Sequence, residues 1–298
     1  DGIAWYVPFE ALTIQAGDQS VPLISRIRVR YAPTASLATG GGRAANPMAK
    51  TAVVLGRLFP QHEDAVAQAA FDDLAGVVPG CIAVKGPLLP APSSLYGILM
   101  DRLIVLDDIA QPDANPYSWS PIQLDRGKPG GALSDWLSLP WGGPSVVVLP
   151  GFHTAAESGL KKIDRTAPGA EMFLSICGLM ASGARTVLLS RWRTGGRSSF
   201  DLVREFSQEL PHTSPADAWQ RAVLVAADTR INAEAEPRVK ESDTEQLRAV
   251  HPFFWAGYML VDSGTPSPEG EAAKTPPKMQ LREPGEEDDQ PKPKAAEP

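Results

Sequence analysis

The chain is short of positive charge, of cysteine and of long apolar runs, and each shortage removes a class of function. Its 298 residues hold 28 lysines and arginines against 35 aspartates and glutamates, a formal net charge of -7. A surface that gathers nucleic-acid phosphates works by counterion release and needs a basic stripe, which this balance does not supply. Nucleic acid is therefore not an expected partner. The two cysteines, Cys81 and Cys177, each lie inside an apolar stretch. They read as buried thiols of a reducing compartment, not as a disulfide framework, which points to a cytoplasmic location. No stretch approaches the ~20 apolar residues that a bilayer-spanning helix requires, so no membrane partner is expected. The chain opens Asp1-Gly2-Ile3-Ala4-Trp5, with neither a methionine nor a basic-plus-apolar leader, and reads as a piece of a larger multidomain protein.

What is present is the material of one α/β domain with a tail. Hydrophobic residues make up 43% of the chain, enough for a sizeable core. Short β-branched apolar runs alternate with helical patterns, the mark of a parallel sheet flanked by helices. Strands are predicted at Ile24 to Tyr31, Ala52 to Leu55, Cys81 to Val84, Leu103 to Leu106, Ser145 to Leu149, Thr186 to Ser190 and Trp255 to Val261. Their near-continuous hydrophobicity implies burial on both faces. Helices are predicted at Glu63 to Leu74, Ser94 to Met100, Glu171 to Ser182, Phe200 to Leu210 and Ala216 to Thr229. Ser214 stands before Pro215 and three residues before Asp217, so its hydroxyl can cap the last of these helices. Behind it Trp219, Ala222, Val223 and Ala226 form one apolar stripe. Gly183 supplies the left-handed residue that ends the helix before the strand at Thr186. Gln111 to Gly131, rich in proline and glycine, interrupts this rhythm as a long loop.

Several strings resemble the CHAT domain, the caspase-like module of the separase and caspase clan. His251-Pro252-Phe253-Phe254-Trp255-Ala256-Gly257-Tyr258 is similar to the family's closing run. Gly183-Ala184-Arg185-Thr186-Val187, leading to Ser190-Arg191-Trp192, resembles its GAR-x-V strand and S-x-W ending. The helix at Ser214 to Arg230 and the Gly169-Ala170-Glu171 step match further family positions. At the front, Pro8-Phe9-Glu10 and Arg28 to Ser36 resemble the family's opening. The resemblance runs from Trp5 to Val261 and implies a caspase-hemoglobinase-like α/β fold: a mostly parallel sheet flanked by helices over residues 1–262, followed by a tail at 263–298.

Active members of that family carry a catalytic histidine and cysteine on loops just past the carboxyl ends of two neighbouring strands, where α/β sheets bind ligands generally. The chemistry needs a thiolate, an imidazole to take its proton and backbone amides for the oxyanion. Here the cysteine's place, after Val147-Val148-Leu149-Pro150-Gly151, is taken by Phe152, followed by His153. The histidine's place falls on Asp107 or Asp108, and Ile109 stands where the family has glycine. The resemblance thus implies a degenerate site with no catalytic residue, no metal and no cofactor, and a domain acting as scaffold or interaction module for an unidentified protein partner.

Two alternatives remain open. One is an active cysteine endopeptidase of the CHAT or separase type that uses another thiol. The other is a Mg²⁺-binding, phosphotransfer-like α/β domain, because paired carboxylates such as Asp107 and Asp108 after an apolar strand suit a hard cation. His153 reads as a hydrogen-bonded structural residue, and Cys177 as helix core, where thiols stay protonated. No G-x-S-x-G elbow surrounds Ser175 or Ser190. Gly40-Gly41-Gly42-Arg43 lacks the lysine of a phosphate loop and reads as a turn.

The tail, Ser263 to Pro298, has no aromatic residue, recurrent proline and an acidic run at Glu286 to Asp289. Such a composition buries too little apolar surface to offset chain entropy and is expected to be disordered. Its deletion is expected to leave the midpoint of thermal unfolding unchanged, and a drop of several degrees would show that it packs.

Overall fold

The structure, a computed structural model, describes residues 2–38, 46–55, 64–78, 80–85, 100–106, 144–151, 169–181, 183–192, 196–232, 236 and 249–264. All elements described belong to the first of two units, Asp1–Pro266; the second, Ser267–Pro298, lies outside the described residues.

After 3-10 turns at Gly2–Tyr6 and Phe9–Ala11 comes a hairpin of β1 (Thr13–Ala16) and β2 (Gln19–Pro22), then the single-turn helix α1 (Ala35–Ala38). The strands β3 (Thr51–Leu55), β4 (Ile82–Lys85), β5 (Arg102–Leu106), β6 (Val146–Leu149), β7 (Thr186–Ser190) and β8 (Tyr258–Asp262) then build one sheet in the order β4-β3-β5-β6-β7-β8. All neighbours are parallel except β7 and β8. The mostly parallel α/β architecture expected from the sequence is the one observed. Parallel strands need crossovers, and helices supply those described: α2 (Asp64–Val77) between β3 and β4, and α3 (Ala170–Ala181) between β6 and β7. Between β7 and β8 run α4 (Gly196–Glu209) and α5 (Pro215–Ala227).

Both faces of the sheet are covered, which is why its strands read as unbroken apolar runs. One face offers Val53, Ile104, Val148 and Leu188 to α2, α4 and α5; the other offers Val54, Val105, Val147 and Leu189 to α3 and to Trp5 and Tyr6. Trp219 of α5 is 1% exposed and stands edge-on to Phe206 and Tyr258, each ring centre 6.1 Å away.

The helix boundaries follow their chemistry. Ser214 Oγ accepts from the Asp217 amide at 3.3 Å, with Pro215 in the first turn. At the end of α3, Ala184 N donates to Leu179 O and Gly183 N to Met180 O, both at 3.1 Å. Together with a φ of +119° at Gly183, these bonds form the paired left-handed ending that glycine favours.

Three expectations need correction. Ile24 to Tyr31 is not a strand: Leu23–Ser25 forms a 3-10 turn, and only Tyr31 joins the sheet, as an isolated parallel bridge to Val261. The alternating arginines that imitate a strand are spent on ion pairs instead, Arg28 with Asp217 and Arg30 with Asp262. The last strand starts at Tyr258, not Trp255, because the His251 ring caps a 3-10 turn at Pro252–Phe254 that turns Trp255 into the core. Ser263 is buried, and its amide donates to Arg185 O at 3.0 Å, so a neutral truncation begins after Gly264. The predicted loop Gln111 to Gly131, and the helix Ser94 to Met100 apart from Met100, lie outside the described residues.

Trp219→Ala and Trp255→Ala each remove a ring that is at most 2% exposed, and each is expected to cost about 3–5 kcal/mol in urea unfolding. Variants as stable as the parent would contradict the packing of the last third of the chain.

Candidate functional site

In a parallel α/β sheet the carboxyl ends of adjacent strands open onto one edge, and ligands bind there. β5 and β6 are such neighbours, paired from Arg102↔Val146 to Ile104↔Val148. Leu106 and Leu149, their last residues, are 0% and 1% exposed, and Pro150 and Gly151 continue buried beyond β6. Asp107 and Asp108 come next in sequence after β5, and Phe152 and His153 after Gly151, but all four lie outside the described residues.

The two thiols are elsewhere. Cys81 precedes β4, at the opposite, amino-terminal edge of the sheet, and Cys177 lies in the body of α3. Both are half-buried, not enclosed as expected: Cys81 sits just before the edge strand and Cys177 beside the exposed Phe173 and Leu174 face of α3. Burial pushes both thiols up from their ordinary values, and at Cys81 a backbone hydrogen bond from Val53 offsets part of the effect. Among the described residues neither has the imidazole partner that activates a cysteine nucleophile. His251, the described histidine nearest the family's closing motif, uses Nδ1 to accept from the Phe253 amide at 3.2 Å.

What the described part of the carboxyl edge does hold is a buried ion pair. Arg191 follows β7 directly; its side chain and that of Glu10 are 0% and 1% exposed and meet at 2.8 Å. Arg191 Nη1 also donates to Ala256 O at 2.9 Å and Tyr258 O at 2.7 Å, and Nε to Trp5 O at 3.2 Å. Its guanidinium carbon lies 4.9 Å from the centre of the Tyr31 ring, in cation–π range. The Tyr31 hydroxyl donates to Glu10 Oε2 at 2.5 Å and accepts from the Phe9 amide at 3.0 Å. Burial, reinforced by the Glu10 carboxylate and opposed by Arg191, holds the Tyr31 phenol far above its ordinary value. The cluster is thus a charged pair with its hydrogen-bonding capacity filled, the condition under which a buried ion pair is tolerated.

Glycine closes the same region from the other side. Gly169 has φ +79°, and a Cβ there would strike the carbonyl of Gly2 and crowd the Trp5 ring. The Trp5 segment therefore lies directly on the start of α3. Beside the edge, Glu236 caps α4: its carboxylate accepts from the Ser198 amide at 2.7 Å and hydroxyl at 2.9 Å, placing negative charge at the positive end of the helix. Sequence reading assigned no role to Glu10, Arg191 or Glu236. A lone arginine closing an otherwise uncharged strand, with a lone acid in the aromatic opening segment, was the available signal for the first two.

Among the described residues no helix is long and apolar enough to cross a membrane, and no group of three or more histidine, cysteine or acidic side chains is placed to hold a metal ion.

A doubly covered, mostly parallel sheet with one antiparallel edge strand, and a candidate site at the carboxyl ends of β5 and β6, defines an α/β domain of caspase-like build. Residues 133–263, from before β6 through β8, match the family model of the CHAT domain. No curated protein matches the chain.

The Arg191–Glu10 pair yields a stability prediction. Glu10→Gln or Arg191→Met leaves the partner buried and unpaired, and each is expected to cost about 3–5 kcal/mol in chemical denaturation. The double variant should cost clearly less than the sum, because it removes both charges together. Additive losses would mean that the two groups do not act as a pair.

Proposed function

We propose that this CHAT domain has no cysteine-peptidase activity and works as a scaffold or interaction module for a protein partner, within a larger cytoplasmic protein. The observation that carries the reading is the residue Phe152 at the place, just past β6, where the family has its nucleophilic cysteine. A phenyl ring cannot attack a carbonyl, and no tuning of neighbours restores the step. At the place of the base stand Asp107 and Asp108, with Ile109 in place of the adjacent glycine. The two cysteines support the same reading: Cys81 lies at the wrong edge of the sheet, Cys177 lies inside a helix, and burial disfavours the thiolate of each.

The test is cleavage of a broad peptide library by the full chain and by Cys81→Ser and Cys177→Ser. All three are expected to be inactive, and a thiol-directed peptidase probe is expected to leave both cysteines unlabelled under native conditions. Phe152→Cys is expected to gain no turnover, since a general base contributes ~10²–10⁴-fold and Asp107 or Asp108 stands in the sequence where the family has its imidazole. Cleavage by the parent that disappears in either cysteine variant would establish an active endopeptidase and end the pseudoenzyme reading.

A further inference from the structure

The opposite edge of the sheet, where the parallel strands begin, holds a buried cation with no ion-pair partner among the described residues. Arg102 opens β5 and is 5% exposed. Its Nη2 donates to the carbonyls of Asn46 at 2.6 Å and Leu210 at 3.2 Å. Its Nε and Nη1 have no acceptor among the described residues, and no described carboxylate forms an ion pair with it. Asp101 is the acid that acts on it, but from a distance, and its Oδ2 accepts from the Lys50 amide at 2.8 Å. Burial draws the Arg102 guanidinium below its ordinary value, with the charge of Asp101 opposing, as expected of a cation that lacks a close counter-charge. The contrast with Arg191, where Glu10 meets the guanidinium at two points, is direct.

Arg102 lines a cleft of about 60 Å³ together with Asn46, Ser145, Thr213 and the start of α5 at Pro215. One water-sized group needs ~10–15 Å³, so the cleft has room for several oxygen atoms. No carboxylate belongs to its lining. Asn46 Oδ1 is occupied by the Met48 amide at 3.1 Å, while its Nδ2 and the Thr213 hydroxyl have no partner among the described residues. Ser145 Oγ donates to Asp101 O at 3.0 Å and keeps its lone pairs. Across the β3–β5 pairing, next to Arg102, Thr51 Oγ1 is a buried side-chain oxygen with no partner. Residues with unused donors, from three separate segments, thus line one cleft beside a buried positive charge. With Nη2 given to two carbonyls, Arg102 keeps its charge and the N–H donors of Nε and Nη1 for an oxyanion, and hydroxyl and amide donors can complete such a shell.

We propose that Arg102, Asn46 and Thr213 form a binding site for a small tetrahedral oxyanion at the amino-terminal edge of the sheet. The site is separate from the carboxyl edge where the family places its peptidase chemistry, and it ties β5 to the α4–α5 turn and to the segment before β3. Its occupant supplies the counter-charge that Arg102 otherwise lacks and steadies the domain by mass action.

The experiment titrates the full chain with inorganic phosphate at fixed ionic strength, with chloride as the balancing salt, and follows both calorimetric heat and the thermal midpoint. Phosphate is expected to give a saturable isotherm and to raise the midpoint, while chloride alone does neither. Arg102→Met is expected to abolish the isotherm. Because that variant also loses two bonds to carbonyls and can fail to fold, Thr213→Val provides the second arm: it keeps the guanidinium and is expected to weaken phosphate roughly tenfold. Lys50→Gln, an exposed charge outside the cleft, is expected to bind phosphate like the parent. No saturable binding by the parent, binding untouched in Thr213→Val, or loss of binding in Lys50→Gln would each overturn the proposal.

Discussion

The structure depends on one buried contact, the guanidinium of Arg191 against the carboxylate of Glu10. The two residues are 181 positions apart, and Arg191 adds bonds to Trp5, Ala256 and Tyr258. The first segment of the chain, the end of β7 and the beginning of β8 therefore share one donor group. Such a pair is not a source of large net stability, because desolvating both charges cancels much of their attraction. Its effect is on uniqueness: with the charges inside, any arrangement that separates them leaves a bare ion in the core. This fixes where the amino-terminal segment lies, and Trp5 and Tyr6 then complete the apolar face that α3 leaves open.

This view changes the meaning of the motifs that resemble the family. The Pro8-Phe9-Glu10 opening, the Ser190-Arg191-Trp192 strand end and the Trp255-Ala256-Gly257-Tyr258 closing run are far apart in sequence, yet all three meet at Arg191, whose own amide donates to Gly257 O at 2.6 Å. They are the parts of one structural joint.

The strands and helices were legible where burial on both faces or explicit end chemistry governs them. Thr186–Ser190 and the Ser214 cap are read correctly because their signals are local. The segment Ile24 to Tyr31 misleads because alternation of apolar residues with arginine looks the same whether the arginines face water or reach for Asp217 and Asp262. Only the position of distant acids decides that, and distance in space is not written in a local pattern. The same holds for the buried pair: Glu10 and Arg191 are visible as odd charges, but their partnership is a tertiary fact. The proposed degeneracy at Phe152 is the reverse case, resting on sequence alone, since Asp107, Asp108, Phe152 and His153 lie outside the described residues.

The joint also settles the state of the antiparallel edge of the sheet. An open edge strand presents unpaired amides and carbonyls to any extended chain, and folded domains cover or blunt it. Here Tyr31 donates its amide to Leu260 O at 2.8 Å and accepts from the Asp262 amide at 3.0 Å, occupying the outer side of β8. Arg30 pairs with the 1% exposed side chain of Asp262, whose other oxygen accepts from Thr186 at 2.8 Å, so the cover is held by a second charge contact. Tyr31 belongs to both arrangements: its backbone covers β8 while its ring and hydroxyl bind Arg191 and Glu10. An added strand at this edge would have to displace Tyr31, and with it would go two ladder bonds, the cation–π contact and a hydrogen bond to the buried carboxylate. The segment that misleads as a strand in the sequence thus performs, through a single residue, the pairing that a whole strand would otherwise provide.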